Sequence, residues 1–387
     1  MTRIVPGHTM GILGSGQLGR MLAQSARQHG YRVTVFSPDG DSPTGQLADE
    51  AFVAPYDDLD AVRGFAAGAD VVTFEFENVP EATARAAAEM AIVRPDPTLL
   101  YVAQNRIREK TAVEKAGYPV TPFRAVRTAE ELEAAVVALG TPAVLKTASS
   151  GYDGKGQRRV DAAATAGAAW VSLGGGECVL EAFMRFEREL SVVVARGTDG
   201  KVADFGVFEN HHEEHILDAT VSPARVPPEV AEAARDLAHG IARHLDLVGV
   251  LCVELFDLGG GNLAFNEIAP RPHNSGHLTI EAFSVSQFEQ QLRAVCGLPL
   301  GEPIRRAPAA AMVNLLGDLW TYDVDGTVVA EPQWATLLRR PQTHLHLYGK
   351  KRPRSGRKMG HVTVLGDRPD VALAQARSAR SALLASA

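Results

Sequence analysis

The segment GVLCVELFDLGGGNLAFNEIAP, Gly249 to Pro270, reads as two apolar, β-branched runs joined by glycines, the pattern of a β-hairpin. A two-residue turn at Gly260 and Gly261 places Glu254 directly opposite Glu267 on one face, with their Cβ atoms about 4.5 to 5.5 Å apart. Two carboxylates so placed repel by about 4 kcal/mol at an effective dielectric near 20. That is large beside a domain stability of roughly 5 to 15 kcal/mol, so a positive charge is expected between them. A hard divalent cation fits, and magnesium held by two carboxylates usually brings substrate phosphates with it. Asn266, next to Glu267, places an amide oxygen on or near that shell. The alternative is a longer turn that shifts the register and sends one glutamate to solvent.

Working outward, the chain after the hairpin continues NEIAPRPHNSGH. Arg271, His273, Asn274 and His277 follow the second carboxylate on a loop broken by proline and glycine, where side chains can converge. Upstream, Lys146 ends the strand PAVLK just before GYDGKGQ, Gly151 to Gln157. The spacing is neither that of a Walker loop nor that of a kinase glycine loop. The stretch reads either as a lid closing over a nucleotide phosphate or as a hairpin with a solvated lysine. Downstream, YGKKRPRSGRKMGH concentrates basic side chains from Lys350 to Lys358, which is either a solvated face or an anion site. In THLHLYG, His344 and His346 stand at strand spacing and read as the polar face of a strand.

The first hundred residues alternate strand and helix, the βαβ signature of a parallel sheet: TMGILGS, a helix from about Gln17 to His29, YRVTVFS, and DVVTFEFE. Between the first strand and helix, GSGQLG leaves three readings open: a nicotinamide dinucleotide with Asp39 as its acid, the phosphate of another ligand, or a structural turn. A polar helix is expected near Ala103 to Ala116, then a small α+β lid, then antiparallel strands around the helix PEVAEAARDLAHGIARHL. The composition is that of a globular protein: 387 residues, 45% hydrophobic, 22% charged, net charge −7. This excludes broad nucleic-acid or anionic-membrane binding. Three scattered cysteines fit a reducing compartment and neither a disulfide framework nor a zinc site. No leader or spanning segment is read, and the expectation is a cytoplasmic protein.

Taken together, GQLGRM, TFEFENVP, GYDGKGQ, NEIAPRPHNSGH and GRKMGH closely resemble the N5-carboxyaminoimidazole ribonucleotide synthetase family of ATP-grasp ligases, over nearly the whole chain. The resemblance implies an α/β and α+β ATP-grasp fold: an N-terminal parallel-sheet domain over 1–104, an ATP-grasp domain over 105–305 with its lid at about 118–185, and a C-terminal β-rich segment over 306–387. It implies ATP-driven carboxylation of aminoimidazole ribonucleotide by bicarbonate through carboxyphosphate, in purine biosynthesis, with Mg2+ as cofactor and a homodimer as the assembly. Carried over by motif, ATP falls on Arg106, Lys146, the loop Gly151, Tyr152, Asp153, Gly154, Lys155, Gly156 and Gln157, the adenine strand Glu181, Ala182, Phe183 and Met184, then Glu189, His212, Asn266 and Glu267. Magnesium falls on Glu254 and Glu267. The ribonucleotide falls on Gln17, Leu18, Glu75, Glu77, Lys350 and Arg357. Arg271, His273 and Asn274 border bicarbonate, while Asp153 contacts the attacking amine and Lys155 steadies phosphoryl or carboxyl oxygens.

Departures from the family pattern are Ser15 for a glycine, Ala148 and Ser150 where Arg and Gly are usual, His215 for a glycine, and Ser355 for a proline. A formate-dependent glycinamide ribonucleotide formyltransferase shares the fold, but RPHNSGH followed by GRKMGH argues for the carboxylating family. A nicotinamide oxidoreductase rests on GSGQLG alone.

Overall fold

The computed structural model describes residues 3–149, 151 and 155–384. Its first unit is a five-stranded parallel sheet built from β1 (Thr9–Leu13), β2 (Arg32–Ser37), β3 (Glu50–Val53), β4 (Val71–Phe74) and β5 (Ile92–Val93), in the order β3-β2-β1-β4-β5. Met10, Ile12, Leu13, Val71, Val72 and Phe74 are fully buried, as expected of strands covered on both faces. Strand order reverses between β1 and β4, and in such sheets a crevice opens beyond the carboxyl ends at that point. Ser15 to Leu18 follow β1 and Glu75 to Glu77 follow β4, so the topology alone brings these two loops together.

The lid sheet comprises β6 (Phe123–Val126), β7 (Ala143–Thr147), β8 (Gln157–Val160) and β9 (Cys178–Ala182), antiparallel in the order β6-β9-β7-β8. Val126, Leu132, Val136, Leu145, Val160 and Leu180 form its own core. The large sheet contains β10 (Arg188–Arg196), β11 (Val202–Glu213), β12 (Ile216–Ser222), β13 (Gly249–Asp257) and β14 (Leu263–Ala269). It continues through β15 (Ala309–Leu316), past a small hairpin of β16 (Thr321–Tyr322) and β17 (Val328–Ala330), to β18 (Thr343–Leu347) and β19 (Lys358–Gly366). Its order is β14-β13-β10-β11-β12-β15-β19-β18, so strands on either side of residue 305 share one sheet, with β12 pairing β15. Helix Pro228–His244 buries Val230, Ala234, Leu237, Ala238 and Ile241, a helical stripe laid on one face of this sheet. No helix among the described residues is long and apolar enough to cross a membrane.

Two local expectations change. The helix expected from Ala103 to Ala116 is two helices, Pro97–Ala103 and Arg106–Lys115. Asn105 interrupts it as an N-cap, its side-chain oxygen accepting from the amides of Ile107 and Arg108 at 3.0 and 3.1 Å, a role in which asparagine outcompetes helix continuation. The break sets Arg106 in the first turn of the second helix. The hairpin turn also differs. Gly259, Gly260 and Gly261 all adopt positive φ and form a three-residue loop closed by Leu258 N–H donating to Asn262 O at 2.9 Å. Near the turn the pairs are therefore Leu255 with Phe265 and Asp257 with Leu263. A β-bulge at Asn266 adds one residue and restores Glu254 opposite Glu267, as bulges do when they re-aim a strand.

Candidate functional site

Beyond the carboxyl ends of β1 and β4 lies a cleft of ≈ 970 Å³, ample for a nucleotide-sized ligand. On its first wall, Glu75 fills the GSGQLG turn. Its carboxylate accepts from Gly16 N–H at 2.8 Å and from Gly19 N–H at 3.0 Å. A Cβ on Gly14 would lie 2.8 Å from Glu75, one on Gly16 would lie 3.0 Å from it, and one on Gly19 would lie 2.4 Å from Thr44 Oγ1. The glycines thus make room for an internal carboxylate, which occupies the ground a dinucleotide pyrophosphate needs; this removes the nicotinamide reading. Gln17 and Leu18, between the two engaged amides, have no acceptor for their N–H groups among the described residues. They face the cleft at a helix N-terminus, where an anion is favoured. Burial pushes the Glu75 carboxyl upward against the pull of the Gly16 and Gly19 amides and Arg271.

Facing this wall, the basic loop contributes Lys350, Arg354, Arg357 and Lys358 to the same cleft. The loop is pinned by Gln46 Nε2 donating to Gly349 O at 2.9 Å and by Gly356 N–H donating to Asp318 at 2.8 Å. Ser355, one of the departures, hydrogen-bonds Asp318, so the hydroxyl supplies a restraint where proline would have supplied stiffness. Lys350 Nζ donates to Lys358 O at 2.7 Å. Burial, reinforced by Arg357, lowers its pKa to about 8.

The floor of the cleft is the carboxylate pair. Arg106 Nη1 lies 2.6 Å from Glu267, and His273 Nε2 lies 3.0 Å from Glu254. Protein cations therefore already offset part of the repulsion expected between Glu254 and Glu267, from the flanks of the pair. Burial alone would raise the Glu267 carboxyl, but Arg106 and Lys146 hold it well below the usual range, so it is ionised at neutral pH. Burial likewise opposes the charged form of His273, yet Cys252 and Glu254 raise it to about 10. The bulged Asn266 gives its carbonyl to Lys110 Nζ at 3.0 Å, while its Oδ1 is buried without a partner among the described residues. Two carboxylates and an orphaned amide oxygen are hard donors of the kind magnesium takes, so the residues present fit that ion.

The loop after β14 is clamped rather than loose. Gln287 accepts from His273 N–H at 2.8 Å and donates to His273 O at 2.7 Å. Asn274 and Asn314 exchange reciprocal amide bonds of 3.1 and 2.7 Å. Arg271, nearly buried, pairs with Glu77 and lines the cleft with His273 and Asn274. His277 is fully buried, ringed by Phe288, Tyr348 and His361, and is not among the residues lining this cleft. His346 also departs from its expected place on a polar strand face: it stacks on His361 and pairs with Glu281 at 2.6 Å. The helix at Gln17 was expected from the sequence, but these clamps belong to no single motif, and Gln287, Asn314 and Lys110 were missed. Lys110 had one signal, its spacing of one helical turn from Arg106.

The remaining expected residues sit beyond the Arg106 side. Lys146 Nζ lies 2.9 Å from Glu181, which also pairs with the fully buried Lys110 at 3.4 Å. Ala182 and Phe183 spend their N–H groups on Pro122 and Pro142 carbonyls; the strand expected over Glu181 to Met184 ends at Ala182, so Phe183 and Met184 lie beyond it. Glu189 pairs with His212. Gly151 and Lys155 line the cleft with Ala148, and Gly151 O accepts from Arg106 at 3.5 Å. Gly156 has φ 74°, and a Cβ there would lie 2.6 Å from Thr147 Oγ1. Gln157 meets His215 at 3.3 Å; His215 itself has φ 67°, which explains why glycine is usual there. Tyr152, Asp153, Gly154 and Ser150 lie outside the described residues. Lys146, Glu181, Ala182, Phe183, Met184, Glu189 and His212 are not among those lining the cleft; Arg106 links the two groups.

A parallel-sheet unit feeding a lid sheet and a large antiparallel sheet, with paired carboxylates between them, defines an ATP-grasp ligase. Family models agree along the chain: a ribonucleotide synthetase pre-ATP-grasp domain at residues 7–104, an ATP-grasp domain at 111–288, and a phosphoribosylaminoimidazole carboxylase C-terminal domain at 310–375. The N5-carboxyaminoimidazole ribonucleotide synthase of Bacillus subtilis is 44% identical over 362 residues, covering 94% of this chain and 92% of that protein. That of Brucella melitensis is 44% identical over 364 residues, covering 94% and 97%. A crystal structure of the synthetase in complex with ADP superposes with TM-score 0.90 at 43% identity, covering 98% of each chain. An Aspergillus clavatus synthase in complex with ADP and aminoimidazole ribonucleotide gives TM-score 0.84 at 30% identity, covering 97% of each. The chain belongs to the N5-carboxyaminoimidazole ribonucleotide synthase family, whose members carboxylate aminoimidazole ribonucleotide at the expense of ATP in purine biosynthesis.

Proposed function

We propose that this cleft carries out bicarbonate-dependent N5-carboxylation, with the ribonucleotide on the first-domain wall and the phosphates of ATP over Glu254 and Glu267. One observation carries the reading: a single cleft joins the free amides of Gln17 and Leu18 and the basic loop to the carboxylate pair. The ribonucleotide phosphate rests on those amides, Lys350 and Arg357, and the ribose lies near Glu75 and Glu77. ATP spans Arg106, Lys146, the loop Gly151 to Gln157, the segment Glu181 to Met184 at and beyond the end of β9, Glu189 and His212. Magnesium, when bound by Glu254, Glu267 and Asn266, neutralises the charge of the phosphates.

Arg271, His273 and Asn274 present donors where bicarbonate and carboxyphosphate carry negative charge, in a cleft whose walls fix them before the reaction. A bicarbonate oxygen attacks the γ-phosphorus and ADP leaves. The exocyclic amine then attacks the carboxyl carbon, the C–O bond to phosphate breaks, and the amine proton is lost. Asp153 contacts that amine and Lys155 steadies the carboxyl or phosphoryl oxygens. We place the enzyme in the cytoplasm as a homodimer; its three cysteines are buried free thiols, in keeping with a reducing compartment. ADP release is expected to require both aminoimidazole ribonucleotide and bicarbonate. Release with formate and glycinamide ribonucleotide instead would overturn the reading.

The lowered pKa of Lys350 makes ribonucleotide binding pH-sensitive. Below about 8 its ammonium is charged and attracts the phosphate dianion; above that value the charge is lost, whereas an ordinary lysine would keep it to about 10.4. KM for the ribonucleotide is expected to rise severalfold between pH 7 and 9. In Lys350→Met it should be higher throughout and flat over that range, which steady-state kinetics at fixed ionic strength would check.

A further inference from the structure

Cys252 and Glu254 alternate on β13 and so share a face, and the clamped loop brings His273 over them. One ligand atom from each of the three lies within 4.8 Å of the others, and His273 Nε2 is 3.0 Å from Glu254. A tetrahedral zinc ion, with bonds of roughly 2.0 to 2.3 Å, needs its ligand atoms about 3.3 to 3.8 Å apart. Small side-chain rotations therefore suffice. We propose that Cys252, Glu254 and His273 form an inhibitory zinc site that competes with magnesium for Glu254.

The donor set decides the ion. Magnesium takes oxygen donors, while a thiolate and an imidazole favour zinc. Ser275 supports two of the ligands: its hydroxyl lies 2.9 Å from His273 Nδ1 and 3.8 Å from the Cys252 sulfur. That contact holds the ring with Nε2 toward Glu254, the outer support that metal-bound histidines commonly have. Glu254 and His273 line the cleft while Cys252 is fully buried behind them. The ion enters from the cleft, and the fourth position faces back into it. Binding releases the thiol proton and the imidazolium proton to solvent. Glu254 cannot serve both ions, so zinc displaces magnesium. The inhibition rests on the magnesium role of Glu254 proposed above; zinc binding does not.

The test uses the full chain with Zn²⁺ in chelator competition and with Co²⁺ as a spectroscopic stand-in. Wild type should bind one zinc ion per chain, show a thiolate-to-cobalt absorption band, and lose activity in a manner relieved by excess magnesium. Cys252→Ser should lose the band and require at least tenfold more zinc for half-inhibition, while Cys178→Ser and Cys296→Ser behave as wild type. Thermal unfolding of each variant identifies any that fails to fold; for such a case, loss of the wild-type band on adding saturating magnesium and ATP supplies the same answer. A band that survives in Cys252→Ser, or no band in wild type, overturns the site. A band in wild type with undiminished activity overturns the inhibitory role and, with it, the assignment of Glu254 to magnesium.

Discussion

Glu267→Gln is expected to lower the rate of ADP formation by roughly 10²- to 10³-fold, the scale on which removing one preplaced electrostatic group acts. The substitution keeps the size of the side chain and removes its charge. Two consequences follow from the structure. The magnesium ion proposed for Glu254, Glu267 and Asn266 loses a carboxylate, and Arg106, at 2.6 Å, loses its ion-pair partner. The half-saturating magnesium concentration should rise together with the fall in rate, because a neutral amide is a poorer ligand than a carboxylate. A fall in rate without any change in magnesium dependence would assign Glu267 to holding Arg106 and not to the ion.

Arg271→Met is expected to cost about 1 to 3 kcal/mol of stability, because it leaves the half-buried Glu77 carboxylate without its partner, and to lower turnover at least a hundredfold. The two effects separate in a cycle. Burial raises the Glu77 carboxyl but Arg271, its largest attractive partner, more than offsets this and lowers it, so the pair is ionised in the folded protein. In the double variant Glu77→Gln with Arg271→Met no charge is stranded, and most of the stability should return, since coupled neighbours are not additive. Turnover should stay low, because the guanidinium proposed to face carboxyphosphate is still missing. Denaturant midpoints and steady-state rates on the four proteins give both numbers. Recovery of turnover in the double variant would make Arg271 a structural residue only.

Much of this arrangement was legible because it depends on local pattern. Alternating strand and helix at the N-terminus places Gln17 and Glu75 at neighbouring strand ends, whatever the details of the turns. The Glu254–Glu267 pairing was reached through a turn one residue too short and a strand without its bulge, two errors that cancel. The three glycines favour the longer loop because each can take positive φ. The bulge has no such local mark: it arises where the Asn266 carbonyl turns to Lys110, on a helix distant in sequence. GSGQLG shows the same limit. Its glycines are spaced as for a phosphate, yet a carboxylate from another strand fills half of the turn, which no local reading reveals. Gln287 and Asn314 were missed because amide clamps carry no spacing rule. His346 was misread because alternation reports which residues share a face, and here both faces of the strand pack against something.

The most direct test of the chemistry follows oxygen from bicarbonate. If bicarbonate attacks the γ-phosphorus and the carboxyl carbon is later taken by the amine, the bridging oxygen leaves with phosphate. Turnover with ¹⁸O-bicarbonate, monitored by ³¹P NMR of the inorganic phosphate, is expected to show one bicarbonate oxygen in each phosphate released. Unlabelled phosphate formed alongside carboxylated product would contradict a carboxyphosphate route in this cleft.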